Sequence, residues 1–200
     1  AFYGCTCISS FTLPDSLKDI GDLALAYTMI EMFNVKKNPN FKVESITMNS
    51  STGSIPLLMT TDGKTIIKCA TNVNRMYYVS SHDYYPFTIP NGVETIAAGA
   101  FTNLYFNRLT IPASVKAIGS QAFDATYIES ITLSNDNTSF QIIDWALLTA
   151  DTTRLVYFPL NKYGYYTIPE GVKSIDAHAF RCASLTGLTL PMSLETIDKD

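Results

Sequence analysis

One arrangement of apolar and polar positions recurs along the chain. Thr88-Ile89-Pro90 is followed by apolar side chains at Val93, Ile96 and Ala100-Phe101. Thr110-Ile111-Pro112 leads to Val115, Ile118 and Ala122-Phe123, and Thr167-Ile168-Pro169 leads to Val172, Ile175 and Ala179-Phe180. Near the start, Thr12-Leu13-Pro14 precedes Leu17, Ile20 and Ala24-Leu25; near the end, Thr189-Leu190-Pro191 precedes Leu194 and Ile197. Pro90 and Pro112 are 22 residues apart, as are Pro169 and Pro191. Self-similarity at a fixed period of about 20–29 residues predicts a solenoid, in which each coil buries its apolar side chains against the next.

Within a repeat the pattern predicts a strand, a turn and a return. Residues 8–13 alternate so that Phe11 and Leu13 face inward and Ser10 and Thr12 outward. Proline closes the strand where no ladder N–H is required. Leu17 and Ile20 point back to the core, Gly21 permits the bend, and Ala24-Leu25 is expected in one helical turn on the convex side. Two stretches break the rhythm. Residues 32–35 read as a strand and 38–41 as a turn; residues 57–67 then place two apolar runs around Asp62-Gly63, a β-hairpin signal. After a strand at 131–133 and a polar turn at 135–140, residues 146–157 repeat the hairpin pattern.

Plain repeats near 8–30, 88–133 and 167–200 therefore alternate with enlarged, hairpin-bearing modules near 31–87 and 134–166, in one solenoid domain over residues 1–200. Ala1-Phe2 reads as the tail of a repeat without its proline, and Asp200 precedes the Ala-Phe pair of the last repeat. Both ends are thus expected to cut a repeat of a longer solenoid.

The run Thr-Ile-Pro-x-x-Val-x-x-Ile-Gly-x-x-Ala-Phe, from Thr110 to Phe123, closely resembles the BspA-type (treponemal-type) leucine-rich repeats. The resemblance covers most of the chain. It departs at Leu25, which stands in place of Phe, and over about residues 42–85, where the repeat is strongly degenerate. It implies a leucine-rich repeat solenoid with parallel β-strands on the concave face and short turns or helical turns on the convex face. It also implies cell-surface or secreted proteins of host-associated bacteria and some parasitic protists, several of them adhesins.

Composition narrows the classes of function. The chain of 200 residues carries a formal net charge of −4, which argues against nucleic acid, whose partners need a basic face. Only 16% of residues are charged and 12% are aromatic, so the surface is finished with Ser, Thr, Asn and Tyr. No run approaches 18 apolar residues, so membrane insertion within this segment is not expected. Cys5 and Cys182, each after an Ala-Phe pair, read as small buried hydrophobes. No Cys/His spacing suggests zinc, and no cofactor or metal is expected. Asn49-Ser50-Ser51 and Asn137-Thr138-Ser139 match the glycosylation acceptor pattern, which has meaning only in a eukaryotic secretory route.

Three constellations stand out. Thr88, Thr110, Thr132, Thr167 and Thr189, with Thr12, occupy the outward position of successive strands and would stack into a column. Threonine suits any solvated strand; it also makes a flat, hydroxyl-rich surface for a partner. The neighbouring outward positions, Ser10, Pro86, Arg108, Ser130, Tyr165 and Gly187, are irregular, which speaks against an ice-binding surface. Tyrosines cluster before the strands at Tyr77-Tyr78, Tyr84-Tyr85 and Tyr163–166, with Tyr105 and Tyr127 elsewhere; such rings either pack half-buried against the hairpins or serve as binding anchors. Tyr84, Tyr85, Tyr165 and Tyr166 with Arg108 are the binding candidates. His82 and His178 alone could act near neutral pH, and no nucleophile, zinc-protease or phosphate-loop motif accompanies them. His178, just before Ala179-Phe180, is expected on the convex surface.

The sequence thus points to a non-catalytic binding module of an adhesin-like protein, holding a protein or glycan of a host or neighbouring cell. The alternative is a structural spacer or filament element that self-associates through its solenoid ends. A hydrolase is the least favoured reading.

Overall fold

The computed structural model describes residues 1–49, 53–71, 86–181 and 183–199; seventeen strands run through them, without a helix. β1 (Ser10–Thr12) lies parallel to β2 (Met32–Asn34), with Phe11 opposite Phe33. The chain then enters an antiparallel meander of β3 (Phe41–Asn49), β4 (Gly53–Thr60) and β5 (Thr65–Cys69). Two plain coils follow: β6 (Pro86–Thr88) with β7 (Thr95–Ile96), then β8 (Tyr105–Ile111) with β9 (Ala117–Ile118). β10 (Tyr127–Leu133) opens the second enlarged module, whose meander is β11 (Phe140–Ile143), β12 (Ala146–Thr149) and β13 (Arg154–Tyr157). β14 (Tyr163–Thr167), β15 (Ser174–Ile175), β16 (Ser184–Thr189) and β17 (Thr196–Ile197) form two more plain coils.

Parallel pairing between coils builds two faces of a β-solenoid. One face pairs β1–β2, β6–β8–β10 and β14–β16, and is called the long-strand face after β8 and β10; the other pairs β5–β7–β9 and β13–β15–β17, and is called the short-strand side after the two-residue β7, β9, β15 and β17. The meanders add β3, β4 and β11, β12 to the short-strand side, so both expected hairpins are present, each with one more strand than the sequence suggested. Phe41 and Phe140, expected in turns, begin these extra strands. Asn38 and Asn137 direct the chain into them. Their amide nitrogens donate to the carbonyls of Pro14 (2.6 Å) and Pro112 (2.9 Å) in the preceding coil. Their Oδ1 atoms accept from the backbone at Asn40 (2.8 Å) and at Ser139 and Phe140 (3.0 Å each). Asn137 is occupied at both amide atoms, which disfavours it as a glycan acceptor; the Asn49 triplet extends outside the described residues.

The proline of each repeat ends its strand and starts an identical turn. The N–H three residues later donates back to the proline carbonyl at Leu17, Val93, Val115, Val172 and Leu194, over 3.1–3.4 Å. Among the described residues the inward side chains pack into successive clusters along the solenoid, and in the central one Phe87, Phe101, Phe106, Phe123 and Tyr157 touch ring to ring at 4.9–6.0 Å.

The Ala-Phe pairs sit in tight turns, not in the helical turn expected for Ala24-Leu25. The amides of Ala24, Ala100, Ala122 and Ala179 each donate three residues back, over 3.0–3.2 Å. The residues bracketing these turns are left-handed: Leu23 and Tyr27, Gly99 and Asn103, Gln121 and Ala125, with φ of 51–69°. Alternating hands cannot propagate a helix. The bend is made at Leu23, since Gly21 does not adopt a positive φ. In the enlarged modules this turn is cut short: Ile66 leads to Cys69 and Leu155 to Phe158 in three steps, where Ile96 needs five to reach Phe101. Flanking turns therefore close up. A side-chain carbon on Gly99 would stand 2.6 Å from Ala26 Cβ, so only glycine fits there.

Candidate binding face

The long-strand face carries three rows of side chains set by the register. Thr88, Thr110 and Thr132 lie side by side across β6, β8 and β10, and Thr167 lies beside Thr189. In the next row Arg108 stands between Pro86 and Ser130, and Tyr165 stands opposite Gly187. A third row, which the sequence did not single out, pairs Tyr105 with Tyr127, and Tyr163 with Ser184. All five threonines lie at the surface, Thr110 the most covered.

Pro86, Asn107, Arg108, Glu129 and Ser130 line a shallow depression of about 360 Å³ between these rows. Beside it the Tyr105 and Tyr127 rings are stacked at 4.6 Å and an interplanar angle of 2°. The Tyr127 hydroxyl donates to Glu129 over 3.5 Å. Partial burial, and the charge of Glu129, push both phenols above their ordinary value. Asn107 Oδ1 is buried without a hydrogen-bond partner among the described residues. Arg108 is exposed and makes no ion pair among them.

The four tyrosine candidates separate. Tyr165 is 84% exposed, and its neighbour in the row above, Tyr163, is 83% exposed. Tyr166 is 3% exposed and corrects the sequence reading: it packs on Phe158 at 4.7 Å and donates its hydroxyl to the Ile143 carbonyl at 3.4 Å. It belongs to the core, because strand alternation places it opposite in sense to Tyr165 and Thr167. Tyr84 and Tyr85, like Tyr77, Tyr78, His82 and Cys182, lie outside the described residues.

The turn side holds a second polar cluster. His178 is not a bare surface residue as expected. It occupies the left-handed position taken by Gly99 and Gln121, contacts the buried Asp124 carboxylate, and lies 3.2 Å from the Tyr27 hydroxyl. Arg181 donates to Asp124 (2.8 Å) and to the Tyr27 hydroxyl (2.9 Å), and its guanidinium lies 5.6 Å from the Tyr27 ring. Lys68 is fully buried and donates to Thr102 Oγ1 at 2.6 Å; burial lowers its pKa to about 8. Tyr157, at the matching place in the other module, donates to the Thr126 carbonyl at 3.0 Å. Both side chains fill the space left by the shortened turns, an arrangement that ties coils together and leaves no open reaction site around Lys68.

These features define a leucine-rich repeat solenoid whose coils are flanked by enlarged modules. The BspA type leucine-rich repeat region matches residues 1–55, 71–148 and 154–200 in six copies, and the chain belongs to that family. Among solved structures, the pneumococcal vaccine antigen PcpA is similar, with a TM-score of 0.54 and 23% identity over 94% of this chain and 46% of that one. A leucine-rich repeat protein from Eubacterium ventriosum gives a TM-score of 0.48 and 18% identity, over 98% of this chain and 45% of that one. The chain thus spans about half the length of the solved chains that it matches, and the likeness to PcpA is one of fold. No curated protein matches significantly. No helix among the described residues is long and apolar enough to cross a membrane.

Proposed function

We propose that this chain is a non-catalytic binding module of an adhesin-like protein at a cell surface or outside the cell, and that its long-strand face holds a protein or glycan of a host or neighbouring cell. The observation that carries the reading is the set of rows on that face. Threonine hydroxyls repeat in register, on β6–β8–β10 beside an arginine that makes no ion pair among the described residues, and on β14–β16 beside two tyrosines that are more than four-fifths exposed. Exposed tyrosine and arginine are the residue types that anchor interfaces, and threonines on a rigid sheet offer hydrogen bonds without large ordering costs. Membership of the leucine-rich repeat family, whose solenoids present extended binding surfaces, supports the same reading.

Immobilised matrix proteins and glycans probed with the chain test it. Thr110→Lys and Tyr165→Ala are expected to weaken capture at least tenfold, while Lys116→Glu on the short-strand side leaves capture unchanged. Equal loss in all three variants, or in none, would remove the long-strand face from the function.

A further inference from the structure

We infer that the rows of the long-strand face receive an extended, linear, β-linked acidic polysaccharide that runs along the solenoid axis, one sugar ring per strand, with a carboxylate on Arg108. The inference rests on the proposed binding role of this face and specifies its ligand.

Spacing is the first argument. Parallel strands repeat at about 4.7–4.9 Å, so Thr88, Thr110 and Thr132 present hydroxyls at that interval across β6, β8 and β10. The rise per ring of an extended β-linked pyranose chain is close to this value, so successive sugars meet successive threonines in step. An extended peptide along the same line repeats a side chain every two residues, about 6.6–6.8 Å, and falls out of step within three strands. The rows therefore match a polysaccharide better than a peptide.

Chemistry is the second argument. The depression is lined by Pro86, Asn107, Arg108, Glu129 and Ser130, and so brings a guanidinium, a hydroxyl and a carboxylate together beside a proline ring. Arg108 faces solvent without an ion pair among the described residues, on a chain of net charge −4. A guanidinium so placed takes a planar carboxylate through two parallel hydrogen bonds. Glu129 accepts hydroxyl protons, as it already does from Tyr127 at 3.5 Å, and so selects a ligand rich in hydroxyls as well as charge. A uronic acid supplies all of these: one carboxylate, several hydroxyl donors and an apolar ring face.

Titration calorimetry with hyaluronan oligosaccharides of two, four, six and eight sugars, alongside carboxyl-reduced hexasaccharide, tests the inference. Affinity is expected to rise steeply with length to about the span of the three strands and then level off. Arg108→Gln is expected to weaken the native hexasaccharide at least tenfold and to leave the reduced one unchanged. Thr110→Val is expected to weaken both. Heat that does not depend on length, native and reduced chains binding alike, insensitivity to Arg108→Gln, or no binding at millimolar concentration each overturn it. A protein ligand lost with the same two variants would overturn the polysaccharide while keeping the long-strand face as the binding surface; binding that neither variant disturbs would overturn both.

Discussion

The ring of Tyr165 lies across Gly187 on the neighbouring strand. A side-chain carbon at position 187 would stand 2.4 Å from both Cδ1 and Cε1 of that ring. The two residues are register partners in β14 and β16. Glycine thus gives the tyrosine a floor, and the tyrosine covers backbone that glycine leaves bare, as aromatic side chains do for glycines in sheets. The ring remains 84% exposed.

Gly187→Ala is expected to displace the Tyr165 ring while sparing the fold, because the ring can swing into solvent. The near-ultraviolet circular dichroism of tyrosine should fall, the melting temperature should change little, and binding through this face should weaken as in Tyr165→Ala. A variant whose spectrum and binding both match the parent would show that the contact does not hold the ring.

Lys68 makes stability depend on pH in a recognisable way. Its folded pKa of about 8 lies below the ordinary 10.5, so between these values the unfolded chain binds the extra proton and stability from this group rises with pH. Cys69 and Tyr166, both pushed up to about 12 by burial, act in the opposite sense: their contribution is lost as pH rises from their ordinary values of 9.0 and 10.0 towards 12. Lys68→Met isolates the lysine. The stability of the variant relative to the parent should fall by roughly 2–3 kcal/mol between pH 7 and pH 10.5, as chemical denaturation would show. A difference that stays flat across that range would mean that Lys68 is hydrated in solution.

Arg154 pairs with the buried carboxylate of Asp176. The guanidinium bonds Asp176 through Nε (2.5 Å) and Nη2 (2.6 Å) and also reaches the Ile118 carbonyl (3.0 Å), which ties the second meander to the coils on either side. Burial raises the pKa of Asp176, and Arg154 opposes the rise. Arg154→Met leaves the carboxylate buried and alone, at a cost of about 3–5 kcal/mol near neutral pH. The loss should shrink towards pH 4, because the carboxyl then folds in its neutral form. Adding Asp176→Asn should recover much of it. A loss below about 1 kcal/mol at pH 7 would place this pair among the weak surface bridges.

The repeat pattern made much of this legible in advance. Prolines ending strands, the threonine row and the two hairpins are local consequences of residue type and period, and each coil restates them. Tyr166 was legible as well: the alternation that turns Thr167 outward turns Tyr166 inward, and its aromatic character masked that simpler signal. The equivalence of Tyr105, Tyr127 and Tyr163 within their coils was harder to see. Tyr105 and Tyr127 stand five residues before their threonines but Tyr163 only four, and the register shift at Gly164 restores the alignment.

What the sequence determined by itself is the coil: where each strand starts and stops, which side chains it buries, and which it offers to solvent. These depend on neighbours within one period, so residue type and spacing suffice. The tertiary structure decided how coils of unequal length stack. Only there do Tyr27, Asp124 and His178 meet, does Lys68 lose its water, and does Tyr165 find Gly187 beneath it. Such contacts depend on turns that two modules shorten and on the registers that follow, and a linear pattern does not encode the distance between one coil and the next.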